Sequence, residues 1–281
     1  MLTVETRQSV SPSQAKGFDT ALLRAHFLAS GMFAEGEIRL IYTHYDRFVM
    51  GGAVPETPLV LDQVAETRTP SFLDRREMGI VNIGAAGQVS AGGESWTLET
   101  GDVLYLGMGE GPVTFAGEGR FYITSAAAHR ACPNRLITLA DSKEVRLGAA
   151  ETSNKRVINQ FIHPLVMDSC QLILGYTRLE EGSVWNTIPS HIHDRRMEAY
   201  LYWGMAPEAR VLHLMGEPQE TRHLMIANEE GAISPPWSVH SGAGIGAYTF
   251  IWAMAGDNVD YTDMDFIQPG TCCESVFSST R

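Results

Sequence analysis

Short runs in which apolar, β-branched and aromatic residues crowd together or alternate with polar ones recur along the chain, separated by turns containing Gly. In the first half they fall at 38–45 (IRLIYTHY), 80–83, 88–91, 96–98, 103–106 and 121–124, and in the second at 171–174, 199–202, 210–214, 223–226 and 248–252. Runs of this length and composition between turn residues predict strands. Two segments instead follow good N-cap residues and predict short helices packed on a sheet: 21–28 after Asp19 or Thr20, and 155–161 after Ser153 or Asn154. The expectation is a mostly β protein with a few short helices.

An internal repeat sharpens that expectation. Asp74-Arg75-Arg76-Glu77-Met78 followed by Gly84 returns 120 positions later as Asp194-Arg195-Arg196-Met197-Glu198 followed by Gly204. Two copies of one β unit account for it, with the polar stretch 141–155 as the junction. The expected division is therefore an N-terminal unit over 1–150 and a C-terminal unit over 151–281.

Composition then removes whole classes of function. The 281 residues carry 33 acidic side chains against 21 Lys and Arg, a net charge of −12, so there is no electrostatic footprint for nucleic acid or anionic membranes. The most apolar stretches, 199–206 and 248–256, fall far short of the roughly 20 residues that a spanning helix needs. The amino terminus, MLTVETRQSV, lacks the basic and apolar regions of a secretory signal, so a cytoplasmic protein is expected. Four cysteines, Cys132, Cys170, Cys272 and Cys273, are too few and too irregularly spaced for a disulfide framework and are read as reduced, the last two in a Ser-rich tail.

The segment that carries chemistry is GSVWNTIPSHIHDRRME, residues 182–198. On a strand, His191 and His193 point to the same face because side chains alternate with a period of two. Glu198 lies five residues beyond His193, an odd interval that requires a bend near 194–196 if it is to join them. His240, where the GAISPPWSVHSG segment enters a strand, could supply a third imidazole. Three imidazoles and a carboxylate suit Zn²⁺, Fe²⁺, Mn²⁺ or Ni²⁺ without choosing among them, and no Cys lies near enough in sequence to suggest a thiolate site.

This arrangement, a Gly, then His-x-His with a Glu and Gly following, then a Gly-Pro-His element, resembles the two motifs of the cupin superfamily. Longer segments, among them RQSVSPSQAKGFDTALLRAHFL, THYDRFVMGGAVP, FLDRREMGIVNIGAAGQV, WNTIPSHIHDRRMEAYLYW, MGEPQETRHLMI and ISPPWSVHSGAG, resemble the 5-keto-4-deoxyuronate isomerase family from about residue 7 to about residue 265. The chain departs from that pattern at Ser190, where some members carry Cys, and in the tail 268–281. The resemblance implies tandem cupin (bicupin) jelly-roll barrels, with one divalent metal per subunit, Zn²⁺ foremost, held by His191, His193, Glu198 and His240. Aligned on the repeated triplet, the first half carries Ser71, Leu73 and Met78 at the positions of His191, His193 and Glu198, which implies a first barrel without metal.

The implied reaction is an aldose–ketose isomerisation without net redox, interconverting 5-dehydro-4-deoxy-D-glucuronate and 3-deoxy-D-glycero-2,5-hexodiulosonate in the breakdown of pectin-derived uronates. Sequence leaves the proton carrier open among Glu220, His223, Tyr200, Tyr42 and a metal-bound hydroxide. Arg222 or Arg195 could pair with the substrate carboxylate, since a planar guanidinium suits bidentate recognition, although the repeated Asp-Arg-Arg reads better as structural. A homohexamer is implied by the resemblance. Three alternatives stand beside this reading: a 5-deoxy-glucuronate isomerase of inositol catabolism, a cupin dioxygenase, and a sugar-binding or storage cupin that converts nothing.

Overall fold

The computed structural model describes residues 1–256 and 262–271, so Cys272 and Cys273 lie outside the described residues. The strand-forming runs assemble into two seven-stranded sheets whose central strands follow the same order. In the first, Glu37–Thr43, Val49–Val54, Phe121–Ala127, Arg76–Asn82 and Val103–Leu106 lie side by side; in the second, Arg156–Ile162, Ile173–Leu179, Thr249–Gly256, Arg196–Trp203 and Gly231–Ser234 do. The repeat coincides with this order to the residue: Arg76 faces Ala127 across the ladder and Arg196 faces Gly256. A smaller sheet closes each half into a sandwich. It has four strands in the first half, Leu59–Leu61, Val113–Gly117, Gly87–Ala91 and Glu94–Leu98, and three in the second, Glu220–Ile226, Val211–Glu217 and Ser241–Gly244.

Alternation along the strands sorts side chains into two cores. Ile80, Leu104, Phe121 and Ile123 point into the first sandwich with Leu61, Val89 and Phe115 of its smaller sheet, and all are buried. Residues on the opposite face, including Val81, Val103, Tyr105 and Tyr122, join Phe161, Leu172, Leu174 and Met197 of the second half in a single cluster, so the two large sheets are packed back to back. Gly79 permits this close approach: a Cβ there would lie 2.8 Å from Ile162 Cδ1. The halves are also laced at their edges. Leu28–Ala29, from the amino-terminal region, pairs with Gly231–Ser234 of the second sheet, and Lys143–Leu147 forms that sheet's other border.

The helix expected after Asp19 is present as Thr20–Phe27, with the Asp19 carboxylate accepting from Leu22 N at 2.8 Å. It buries Leu23 and Phe27, the latter edge-on to Trp237 of the second half. The helix expected at 155–161 does not exist; Arg156–Ile162 is a strand. Val157, Ile158 and Ile162 favour the pleated conformation, and both edges of the segment are taken up by Lys143–Leu147 and Ile173–Leu179. The apparent cap works backwards, because the Asn154 carboxamide oxygen accepts from Ala149 N at 3.1 Å and Thr152 Oγ1 at 2.6 Å and so closes the preceding turn. Duplication therefore rests on the strands and not on paired helices.

Candidate metal centre

His191 is the middle residue of the short strand Ser190–Ile192, which pairs with Asp265–Ile267 so that His191 faces Phe266. The chain leaves the strand at His193, turns at 194–195 and re-enters extended structure at Arg196. This turn resets the alternation, so that Glu198 shares a side with the two imidazoles despite the odd spacing. Glu198 stands opposite Met254 and Ser234 in the large sheet. His240 comes from the facing side of the sandwich, immediately before Ser241–Gly244, and its backbone bridges to His191. Four residues spread over 50 positions thus meet at one buried point.

The atoms that meet are all donors. His191 Nε2 lies 3.2 Å from His193 Nε2 and 3.0 Å from His240 Nε2, while Glu198 Oε2 lies 3.1 Å from His193 Nε2 and 2.9 Å from His240 Nε2. Lone pairs converging at this spacing away from solvent repel unless a proton or a metal ion sits between them. Metal–ligand bonds of about 2.1 Å place neighbouring donors about 3.0 Å apart at right angles and about 3.4 Å apart in a tetrahedron, and the spacing here lies near the lower of these. The far sides of the rings are arranged accordingly. His240 Nδ1 is 3.3 Å from the Ser238 carbonyl, which it can reach as a donor with Nε2 left as the ligand atom. Behind His193, Asp263 Oδ1 lies 3.5 Å from Nδ1, a charge contact longer than a formed hydrogen bond. That carboxylate is itself gripped by the fully buried Arg196, whose Nε donates to Oδ2 at 3.0 Å and whose Nη2 donates to Oδ1.

The electrostatics suit a cation. Burial, reinforced by the neighbouring His240, pushes the His191 imidazole down to about 2, so the ring is neutral with its ligand lone pair free. Burial by itself would raise the Glu198 carboxyl, but the His240 charge and the hydrogen bonds from His193 and His240 outweigh it and hold the carboxyl well below its ordinary range. Beyond the ligands, His213 is wholly buried with Nδ1 2.8 Å from the Tyr202 hydroxyl, and burial pushes it down to about 3.

His191 and Glu198 form part of the wall of a cavity of about 160 Å³ inside the second sandwich. Tyr200 lines the same cavity, its hydroxyl 3.3 Å from Thr187 Oγ1. Trp252 forms another part of the wall; its indole N–H donates to Thr177 Oγ1 at 3.1 Å, and its ring occupies the space that any side chain at Gly175 would fill, 2.3 Å from a Cβ there. The remaining predicted residues are elsewhere. Tyr42 belongs to the core of the first sandwich. Glu220, Arg222 and His223 lie on the hairpin strand Glu220–Ile226, where Glu220 pairs with Arg222 at 2.7 Å and with Lys16 at 3.6 Å, and His223 is exposed. Arg195 is exposed in the turn after His193. Of each repeated Arg pair it is the second member, Arg76 or Arg196, that is buried, which is the structural use of the triplet.

Sequence reasoning missed Arg156, which contributes to the cavity wall beside Ile158. The sequence pattern predicts a helix for its segment, and a helix turns residues 156 and 158 to different sides. The adjacent β-branched residues Val157 and Ile158 were the available signal.

The model of the KduI/IolB family matches residues 26–268. The 4-deoxy-L-threo-5-hexosulose-uronate ketol-isomerase of Agrobacterium fabrum is 79% identical over 271 residues, covering 96% of this chain and 99% of that protein. Proteins of the same name from Cereibacter sphaeroides and Halalkalibacterium halodurans are 65% and 48% identical, covering 95% and 94% of this chain and 98% of each relative. Among solved structures, an IolB-like protein from Salmonella typhimurium superposes with a TM-score of 0.66 at 15% identity, covering 92% of this chain and 91% of that one. Oxalate decarboxylase from Lactobacillus farciminis does so with 0.54 at 10% identity, covering 78% and 79%. At such identities these structures speak for the fold alone, and the fold is the double-barrel cupin.

Proposed function

The chain belongs to the KduI/IolB family, and from that premise we propose that it is a metal-dependent ketol-isomerase of 4-deoxy-L-threo-5-hexosulose uronate, in the degradation of pectin-derived uronates. The curated relatives at 48–79% identity are named for this activity. One observation ties it to a place in the molecule: His191, His193, Glu198 and His240 converge beside a cavity that two of them help to line. A centre of this kind keeps a side open to substrate, whereas a purely structural site closes on itself. The inositol-pathway alternative is disfavoured because the IolB-like likeness is at 15% identity.

The isomerisation moves a proton from C2 of the open-chain sugar to C1, while the aldehyde oxygen gains a proton and the C2 hydroxyl loses one; atoms and electrons balance with no outside reductant. His191, His193, Glu198 and His240 would hold a divalent ion, which when bound would supply polarisation of the sugar carbonyl and stabilisation of developing negative charge. The protein does the rest. The His191 imidazole stays neutral and the Glu198 carboxylate ionised. Trp252 and the apolar wall exclude water from the carbanionic stage. Tyr200, the one predicted proton carrier among the side chains on the cavity wall, presents a hydroxyl held by Thr187 to the sugar oxygens.

This reading takes Zn²⁺ as the ion, one per subunit, since a reaction without net redox needs no redox-active metal. It takes the enzyme as cytoplasmic, in keeping with the free thiols Cys132 and Cys170. It takes the assembly as a homohexamer; Leu212 and Met225, exposed cross-strand neighbours on the three-stranded sheet, offer apolar surface for subunit contact. The two units remain 1–150, supporting, and 151–281, carrying the centre.

The test is turnover of 4-deoxy-L-threo-5-hexosulose uronate by wild type, His240→Ala and Tyr200→Phe, with metal quantified in each. We expect His240→Ala to lose metal and activity together, on the order of a thousandfold or more. Tyr200→Phe should keep the metal and lose on the order of a hundredfold. A fully metallated wild type that does not turn the sugar over would sink the assignment.

A further inference from the structure

The wall of the cavity is chemically lopsided. Apart from the two ligands His191 and Glu198, it consists of uncharged side chains and a single cation, Arg156. Arg156 is partly buried, and burial pushes its guanidinium below the ordinary arginine range. Its Nη1 donates to the Asn154 carbonyl at 2.9 Å, which steadies the head group without neutralising it. Among the described residues no acidic side chain pairs with it, in contrast to Arg120, held by Glu229 and Glu35, and Arg196, held by Asp263. A cation drawn from water into an apolar wall without a counter-charge is costly and is retained where a ligand supplies the charge.

The cavity is also organised along its length. Arg156 and Ile158 are on the strand Arg156–Ile162, separated from the Glu198-bearing strand Arg196–Trp203 by Ile173–Leu179 and Thr249–Gly256. Strands in a sheet are about 4.8 Å apart, so the guanidinium belongs to a different strand row from the four-ligand centre, on a side chain long enough to reach back toward it. A uronate likewise carries its two functional groups at opposite ends: its reacting aldehyde end is C1–C2 and its carboxylate is C6.

We propose that Arg156 is the residue that binds the substrate carboxylate and so sets both the preference for sugar acids and the end of the sugar presented to the four-ligand centre. The guanidinium offers two parallel N–H groups to the two carboxylate oxygens. With C6 held there, C1 and C2 point along the cavity toward His191 and Glu198. A neutral sugar of the same length leaves the guanidinium unpaired and is rejected. Arg156 contacts substrate but takes no part in proton transfer.

The proposal rests on the isomerase reading for the identity of the substrate, and the experiment separates the two. Binding of D-glucuronate and of D-glucose, used as acidic and neutral probes, is measured calorimetrically on metal-loaded wild type, Arg156→Gln and Arg156→Lys, and KM and kcat for the uronate substrate are measured alongside. Expected is a wild-type preference for glucuronate that falls tenfold to about a hundredfold in Arg156→Gln. KM should rise by a similar factor with kcat much less affected, and metal content should not change. Arg156→Lys keeps the charge and the packed stem while losing the fork, so it should recover part of the preference; it also provides the comparison if the Gln variant is unstable. An undiminished glucuronate preference and an unchanged KM in Arg156→Gln would overturn the proposal even if wild type is an active isomerase. Loss of the preference in a protein whose wild type does not isomerise the uronate would instead keep the anchor and remove the isomerase reading.

Discussion

The two halves of the molecule use one strand in opposite ways. Arg76–Asn82 and Arg196–Trp203 occupy the same place in their sheets and the same register against their neighbours. They differ by a transposition: Arg-Glu-Met in the first, Arg-Met-Glu in the second. Because side chains alternate across a strand, moving the carboxylate by one residue moves it to the other face of the sheet. Glu198 faces the interior of its barrel and meets three imidazoles. Glu77 faces backwards, toward the second half, where its oxygens accept from the backbone N–H groups of Cys170, Gln171 and Leu172, each at 2.7 Å, and from the Tyr105 hydroxyl at 2.6 Å. One glutamate equips a metal centre and the other fastens the halves together. Inside the first barrel, Leu73 and Met78 lie fully buried in apolar core at the positions of His193 and Glu198.

That contrast can be broken most forcefully by Met78→Glu, which restores the carboxylate to the first barrel without partners. Burying an unpaired charge there should cost more than about 4 kcal/mol or abolish folding, as read by soluble yield and thermal denaturation. A well-folded Met78→Glu protein would mean that the first barrel's interior admits polar groups after all.

Next in size is a matched pair. Glu77→Gln turns one of the two accepting oxygens into a donor facing donors and should lower stability by about 2–4 kcal/mol, with metal content per folded protein unchanged. Glu198→Gln should do the reverse, lowering metal content and turnover with a smaller change in the melting temperature of metal-free protein. If both variants lost metal equally, the division of labour between the two faces would be wrong.

Asp263→Asn weakens the charge behind His193 and loosens the Arg196 grip, and should reduce metal affinity about 10–100-fold while leaving all four ligands in place. Competition with a chelator checks this.

The smallest effect concerns acid. His213 is held at about 3, below the ordinary histidine value of 6.5. Between those values the unfolded chain takes up a proton that the folded chain refuses, so stability is lost as pH falls from about 6.5 and levels off near 3. In metal-free protein, His213→Gln should flatten the pH dependence over that window by up to about 1.4 kcal/mol per pH unit. An unchanged slope would assign the acid sensitivity to other groups.

Much of the centre was legible in advance because its signals are local. His-x-His on a strand is a two-residue relation, and the odd step to Glu198 called for the bend that the turn at 194–195 supplies. The strands at 88–91, 103–106 and 121–124 were equally plain, as alternation and β-branched residues belong to the segment itself. Misreading 155–161 as a helix shows the limit. Ser153 and Asn154 have the chemistry of a helix cap, but whether a cap acts forward or backward depends on the turn that precedes it, and the strand is secured by partners at 143–147 and 173–179. Without that strand nothing local marks Arg156 as part of the cavity, and the structure puts neither Arg195 nor Arg222, the carboxylate partners expected from guanidinium chemistry, on its wall.

The sequence by itself determined the strand-rich double unit, the repeat that registers its two halves, and the imidazoles and carboxylate competent to hold an ion, because periodicity, turn chemistry and ligand type are properties of neighbouring residues. Only the tertiary structure decided that His240 reaches the other three, that Leu28–Ala29 completes the second sheet, that Glu77 fastens the two sheets back to back, and that Arg156 joins the cavity wall as its one arginine. Each of these depends on a pairing between residues far apart in the chain, where the side of a sheet a residue faces is set by register and the neighbour it meets by packing.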